Sequence, residues 1–204
     1  SEAPITDATY SFSLGGGTAS AIDYSQYIFS AGVSFNGITS EINVPAGVTT
    51  FTVTLPTVDD SEVESLELVP ISIGGVTATG GITDNDQPTI TAVEAGSTGI
   101  SDDNVIEGND LVFNVVLSQA PITDVTYSFS LGGGTASATD YSQYTFSAGV
   151  TFDSITSEIT VPAGVTTFTV TLPTVDDSEV ESLEFVPISI GGVAANGGIT
   201  DNDQ

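Results

Sequence analysis

The chain has no Lys, Arg or His, whereas it has 27 Asp and Glu residues, so its formal charge is −27. Nucleic-acid binding depends on basic side chains that neutralise phosphates, and an anionic lipid surface repels a protein of this charge. The missing basic residues therefore exclude nucleic acid as a partner and argue against membrane insertion. They leave a cation as the favoured partner.

Other absences limit the possible chemistry. Without Cys or His, neither a Ser–His–Asp nor a Cys–His arrangement can form. Paired carboxylates can cleave glycosides, but Trp, a common sugar platform, is absent too. No apolar run approaches the roughly 18 residues that cross a bilayer. We therefore expect no enzyme and no membrane span, whereas the hydrophobic fraction of 39% predicts a folded protein.

The sequence repeats itself at a distance of 117 residues. Residues 1–87 align with 118–204 without a gap and differ at 11 of the 87 positions. A period of this length is a whole domain, so the pattern predicts a tandem array of domains. We expect a complete repeat at 87–204, preceded by a repeat at 1–86 that lacks its first two strands. Two explanations stay open: a longer array, or completion by a neighbouring copy.

Short Val, Ile, Thr and Phe runs separated by Gly, Asn, Asp and Pro predict β-strands throughout. The expected fold is all-β: tandem immunoglobulin-like antiparallel β-sandwiches. Pro70 and Pro187 interrupt two VPISI runs, where we expect a local break or an outward-facing nitrogen. The GGG runs are expected to be turns between strands. In the complete repeat the strands are predicted near 88–94, 110–118, 123–131, 143–152, 156–161, 166–173, 184–190 and 195–200.

Acidic residues are concentrated in a few connections between these strands. Residues 175–185 read VDDSEVESLEF, and in a sandwich this connection should meet Glu107, Asp140 and the pair Asp201/Asp203 at one pole. Carboxylates a few ångströms apart repel by about 1 kcal/mol in water and by several when partly buried. Ca²⁺, with six to eight oxygen ligands, removes this repulsion. The alternative is a solvated acidic surface that only aids solubility.

The phase of the strand that begins near residue 184 adds detail to this site. If Val186 and Ile188 face the core, Glu184 points inward at the rim, where an unpaired charge is costly. Glu181 and the pair 176–177 would complete the site, and Glu179 should point to solvent.

Four segments of the complete repeat resemble a Calx-beta domain: VIEGNDLVFNVVLS, TASATDYSQ, VPAGVTTFTVTLPTVDDSEVESLEF and GGITDNDQ. The resemblance implies a calcium site in each repeat, and the site of the first repeat lacks a counterpart of Glu107. The implied ligands are Glu107, Asp140, Asp176, Asp177, Glu181, Glu184, Asp201 and Asp203, and in the first repeat Asp23, Asp59, Asp60, Glu64, Glu67, Asp84 and Asp86.

The added stretch YTFSAGVTFDSIT (144–156) is similar to long repeat arrays of giant bacterial surface adhesins secreted by type I (RTX-type) systems. This resemblance implies an extracellular, calcium-rigidified stalk that serves cell adhesion and biofilm formation. Its partners would be calcium ions and neighbouring repeats. Two alternatives stay open: a filament subunit completed by strands of other copies, and a module that binds glycan or ice.

Overall fold

The computed structural model describes residues 3–96 and 103–204. All regular structure in these residues is β-strand, which confirms the predicted all-β class, and they include no helix that could span a membrane. The chain divides into two compact units, unit 1 (Ser1–Asp86) and unit 2 (Gln87–Gln204).

The strands of unit 1 are β1 (Ala8–Leu14), β2 (Ile28–Phe29), β3 (Ser34–Asn36), β4 (Glu41–Val44), β5 (Val53–Thr54), β6 (Glu67–Ile73) and β7 (Val76–Ile82). Five of them form a sheet in the order β3-β4-β1-β6-β7, and β2 pairs with β5. Phe12, Val33, Ile42 and Val44 form the buried core of this unit.

The strands of unit 2 are β8 (Ile90–Ala95), β9 (Asn104–Ile106), β10 (Asp110–Leu117), β11 (Val125–Leu131), β12 (Thr145–Phe146), β13 (Thr151–Asp153), β14 (Glu158–Val161), β15 (Thr167–Pro173), β16 (Glu184–Ile190) and β17 (Val193–Thr200). They form a four-stranded sheet, β12-β15-β10-β8, and a six-stranded sheet, β13-β14-β11-β16-β17-β9.

The two sheets of unit 2 enclose one core and make an immunoglobulin-like sandwich. Leu111 and Phe113 of β10 and Leu172 of β15 are buried from one side, and Val186 and Ile190 of β16 from the other. Buried residues alternate along these strands because successive side chains of a strand point to opposite faces. The alternation of the sequence therefore gives the inner faces directly.

Two details of unit 2 differ from the sequence prediction. Residues 143–152 were predicted as one strand, which is wrong: they contain β12 in one sheet and part of β13 in the other. Ala148 and Gly149 adopt positive φ angles of 55° and 74° between them, so the chain turns and changes sheets. The short strand β9 was not predicted, because three residues carry no recognisable alternation.

The proline of β16 is accommodated by the glycine turn that follows β11. Pro187 pairs with β17, but the ladder to β11 stops at Ile188, so a local break occurs there as expected. The Pro187 carbonyl accepts a hydrogen bond from Gly132 N at 2.9 Å. A Cβ at Gly134 would lie 2.1 Å from Phe185 O, so only glycine permits this close approach.

The same sequence forms strands of different length in the two units. The sequence TFTVTLP forms the whole of β15 in unit 2, whereas at 50–56 only Val53–Thr54 forms a strand. In unit 2 the strand β10 pairs with β15 over seven residues, and the described residues of unit 1 place no strand in that position. Pairing, and not local propensity, therefore decides the length of this strand.

Candidate metal centre

Four separate segments bring acidic residues to one end of unit 2. Glu107 follows β9, Asp140 lies between β11 and β12, residues 176–183 connect β15 to β16, and the chain after β17 contains 201–203. The side chains meet in two groups, and in each group one carboxylate oxygen per residue lies within 4.8 Å of the others. The groups are Glu107/Asp201/Asp203 and Asp140/Glu181/Glu184.

The Glu107 group is held by backbone hydrogen bonds. Glu107 is only 5% exposed, and its Oε1 accepts a hydrogen bond from Asn202 N at 3.1 Å. Asp201 accepts from Asp203 N at 2.7 Å and from Glu181 N at 2.8 Å. Asp203 Oδ2 is buried and accepts no hydrogen bond from the residues that the structure describes. Such an oxygen is costly unless a cation binds it.

The Asp140 group contains Glu184, whose pKa is raised well above its ordinary value. Asp140 is 7% exposed and accepts hydrogen bonds from Ser137 N and, at 3.2 Å, from Thr139 Oγ1. Burial, together with a hydrogen bond and the negative charge of Asp140, raises the pKa of Glu184 to about 7. Burial raises the pKa of Asp140, but the hydrogen bonds from Ser137, Glu184 and Thr139 together lower it more, so its net shift is downward.

Two other predicted ligands in unit 2, Asp176 and Asp177, accept hydrogen bonds outside these two groups. Asp176 accepts a hydrogen bond from Asn202 Nδ2 at 2.7 Å, which links the acidic connection to the chain end. Asp177 accepts from the backbone N of Glu179 at 2.7 Å. The structure places neither side chain in the two groups, and Glu179 is exposed. Sequence reasoning missed the role of Asn202, for which the only signal is its place between two acids.

In unit 1 the corresponding acids line one cleft, and Asp23, Asp60 and Glu64 bring their oxygens within 4.8 Å of one another. Asp23 is 4% exposed, and its Oδ1 and Glu67 Oε2 are buried without a hydrogen-bond partner among the described residues. Asp84 accepts hydrogen bonds from Asp86 N at 2.9 Å and from Glu64 N at 2.8 Å. Asp59 accepts from Asn85 Nδ2 at 3.0 Å and also lines the cleft.

Electrostatics and donor chemistry both fit a hard divalent cation. Burial and neighbouring acids raise the pKa of Glu181, Glu64, Glu67 and Asp86, because the charged forms repel one another. The pKa of Glu107 is lowered by the hydrogen bond from Asn202, but burial, Asp201 and Asp203 raise it more. Every donor is oxygen, and Ca²⁺ prefers six to eight oxygen ligands. These clusters can therefore hold a metal ion such as calcium.

Without calcium, the free energy of unfolding should fall as the pH rises from about 5 to about 7. The pKa of Glu184 is about 7 in the folded chain against an ordinary value of 4.5, so the folded chain binds more protons across this range. Acids with a lowered pKa, such as Asp140 and Asp201, act in the opposite direction, but only below about pH 4. Thermal unfolding of resin-treated protein at several pH values measures the slope, and a rising stability between pH 5 and 7 would contradict it.

No family model matches the chain, and no curated protein sequence matches it. Among solved structures, domains 4 and 5 of the S-layer protein SbsC match at 16% identity and a TM-score of 0.33, covering 88% of this chain and 98% of that one. The calcium binding domain CBD12 of CALX1.1 matches at 19% identity and a TM-score of 0.31, covering 90% and 68%. The C-terminal domain of the Streptococcus agalactiae AgI/II polypeptide BspA matches at 9% identity and 0.33, covering 94% and 84%. These similarities concern the fold alone.

Proposed function

We propose that the protein is a calcium-binding structural repeat, in which Ca²⁺ neutralises the acidic end of each β-sandwich unit. The observation that carries this proposal is a set of buried carboxylate oxygens that accept no hydrogen bond from the described residues, namely Asp23 Oδ1, Glu67 Oε2 and Asp203 Oδ2. The chain has no basic side chain to pair with them. A bound cation stabilises a charged oxygen in such a position, and at neutral pH it competes with a proton shared between neighbouring carboxylates such as Glu67 and Asp23.

Unit 2 would bind calcium at two separate groups of acidic residues. Glu107, Asp201 and Asp203 would hold one ion, and Asp140, Glu181 and Glu184 another. Asp176 and Asp177 lie in the same acidic connection and would add ligands after small rearrangements. In unit 1, the ligands would be Asp23, Asp60, Glu64 and Glu67, together with Asp59, Asp84 and Asp86 at the edge of the cleft.

The repeat organisation supports an extracellular stalk as the biological role. The two compact units adjoin in the sequence, since Asp86 ends unit 1 and Gln87 begins unit 2. Calcium at Asp84 and Asp86 would order the last residues of unit 1 directly ahead of unit 2. Extracellular sites bind calcium with dissociation constants of about 10⁻⁴–10⁻³ M, a range suited to millimolar calcium outside cells. We place the protein in a bacterial surface adhesin, where such repeats would hold a binding domain away from the cell.

Glu184→Gln should have two effects of opposite sign. It removes one negative ligand, so the affinity for Ca²⁺ at unit 2 should fall by at least about tenfold. It also removes a like charge beside Asp140, so the calcium-free protein should unfold at a higher temperature than the parent. Isothermal titration with CaCl₂ at neutral pH and thermal unfolding after calcium removal measure the two effects.

Glu179→Gln is the matched control, because it makes the same charge change in the same connection at an exposed residue outside both groups. Its calcium affinity should stay within about twofold of the parent, as expected for a surface charge. Equal losses of affinity in both variants would show that calcium responds only to the overall negative charge, and the proposed site would be wrong.

A further inference from the structure

Unit 1 exposes an apolar face, whose counterpart in unit 2 is covered by strands of unit 2 itself. A groove on this face is lined by Tyr10, Val44, Val48, Phe51, Ile73 and Val76. Tyr10 is 44% exposed, whereas its counterpart Tyr127 is 7% exposed. Val76 is 77% exposed, and β7 is the last strand of its sheet. The groove is therefore an open core surface beside an unpaired strand edge.

In unit 2 the strands β8, β9 and β10 fill the corresponding position. Tyr127 donates a hydrogen bond to Pro88 O at 2.5 Å, and Pro88 is among the most buried residues of the unit. The strand β9 pairs in parallel with β17, the counterpart of β7. Unit 2 thus shows which chain segment this face accepts and in which register.

Gly80 of unit 1 matches a glycine of unit 2 that lies against a leucine, but unit 1 has open space where that leucine would be. A Cβ at Gly197 would lie 2.7 Å from Leu111 Cδ1, so only glycine leaves room for the leucine of β10. At the matching Gly80, the nearest atom to such a Cβ is Val69 O at 3.9 Å. Gly80 therefore preserves a space for a leucine on the open face.

The metal site of unit 1 lacks a residue from the same missing segment. In unit 2, Asp201 and Asp203 are joined by Glu107, whose backbone N bonds to Thr200 O at 3.0 Å directly after β9. In unit 1 the matching Asp84 and Asp86 have no such third acid among the described residues. One segment would thus complete both the open face and the metal group.

We propose that the open face of unit 1 is the docking surface for a segment of the sequence type 87–117 that precedes Ser1 in a longer polypeptide, and that this segment supplies a glutamate to the calcium site of unit 1. The metal part of this inference depends on the function proposed above. Docking and calcium binding in unit 1 are then coupled, because each makes the other more favourable.

A second copy of the chain is a less suitable occupant. Each copy carries one set of the strands β8–β10 but two faces that accept it. If β8–β10 of one copy packed on unit 1 of a second copy, unit 2 of the first copy would lose these strands. Such an exchange therefore buries no additional surface. A segment joined to Ser1, in contrast, would enter unit 1 as Leu117–Ser118 enters unit 2, where Ser118 is the counterpart of Ser1.

The test compares the present chain with an extended chain that carries a copy of residues 87–117 directly before Ser1. A third chain carries Glu107→Gln within the added copy, and a fourth carries Gly80→Val in the extended chain. Hydrogen exchange is followed in peptides that cover β7, whose sequence VTATGGI differs from VAANGGI in β17. Calcium stoichiometry is measured by isothermal titration, and size-exclusion chromatography gives the oligomeric state.

Without calcium, exchange in β7 should slow by at least about tenfold in the extended chain, and Gly80→Val should reverse this protection. The extended chain should bind at least one more calcium ion than the present chain, and Glu107→Gln should remove that gain while the protection remains.

Unchanged exchange in β7 would overturn the docking, and a present chain that forms dimers with a protected β7 would make the second copy the occupant. Protection without additional calcium, while unit 2 still binds calcium, would overturn the coupling alone. If neither unit binds calcium, both the proposed function and the proposed glutamate ligand in unit 1 are wrong. The protection of β7 would still test whether the segment docks on unit 1.

Discussion

Removing calcium lowers the unfolding temperature of unit 2 by roughly 10 °C on this account. Calcium at 100 times its dissociation constant stabilises a one-site protein by about 2.7 kcal/mol, and a domain of this size loses roughly 4 °C per kcal/mol. The physical reason is that the acids of unit 2, including the buried Glu107 and Asp140, lose their only counter-charge. Differential scanning calorimetry in millimolar CaCl₂ and in excess EGTA measures the shift.

Ionic strength needs its own control, because any salt screens a charge of −27. NaCl at the ionic strength of the CaCl₂ buffer should recover only a small part of the shift. The variant Asp140→Ala with Asp201→Ala removes one buried and one half-buried acid, so its unfolding temperature should respond to calcium much less than that of the parent. Equal unfolding temperatures of the parent protein in calcium and in EGTA would contradict the account.

Substituting the same glycine in the two units should have opposite consequences. Gly197→Val should destabilise unit 2 by about 1–3 kcal/mol, because the new side chain overlaps Leu111. A Cβ there would lie 2.7 Å from two Leu111 carbons, and Leu111 is fully buried and enclosed by the core. Gly80→Val should leave unit 1 unchanged or stabilise it by up to about 1 kcal/mol, because valine favours strands and finds open space.

Urea unfolding of the whole chain, followed by hydrogen exchange in β7 and β17 separately, distinguishes the two units. The peptides VTATGGI and VAANGGI differ at two positions and can be followed in one experiment. A loss of stability in unit 1 as large as that in unit 2 would show that the space beside Gly80 is already filled. Such a result would contradict the open face.

The strands of the fold could be predicted well from the sequence where a strand is long and one face is buried. In β15, Phe168, Val170 and Leu172 alternate with threonines in the sequence, and all three are buried. The sequence could not predict the behaviour of 50–56, which has the same letters as 167–173 but forms only a two-residue strand. That difference comes from a missing pairing partner, which lies outside the local sequence.

The acidic site could be predicted as a meeting of segments but not as two groups. Strand order alone brings Glu107, Asp140 and Asp201 to one end, as the structure has them. Asp176 lies outside these groups and accepts a side-chain hydrogen bond from Asn202, which no spacing in the sequence indicates. Local hydrogen bonds of this kind help to place side chains within loops, and the positions of acidic residues in the sequence do not reveal them.

A crystal structure determined in millimolar CaCl₂ tests the central claim most directly. The account predicts calcium ions with oxygen ligands at about 2.3–2.6 Å, bound by Asp140, Glu181 and Glu184 and by Glu107, Asp201 and Asp203. Anomalous scattering would identify the ions. Density for ordinary water alone beside Asp140 and Asp201, with their carboxylates placed as described, would contradict the claim that calcium neutralises the acidic end of unit 2.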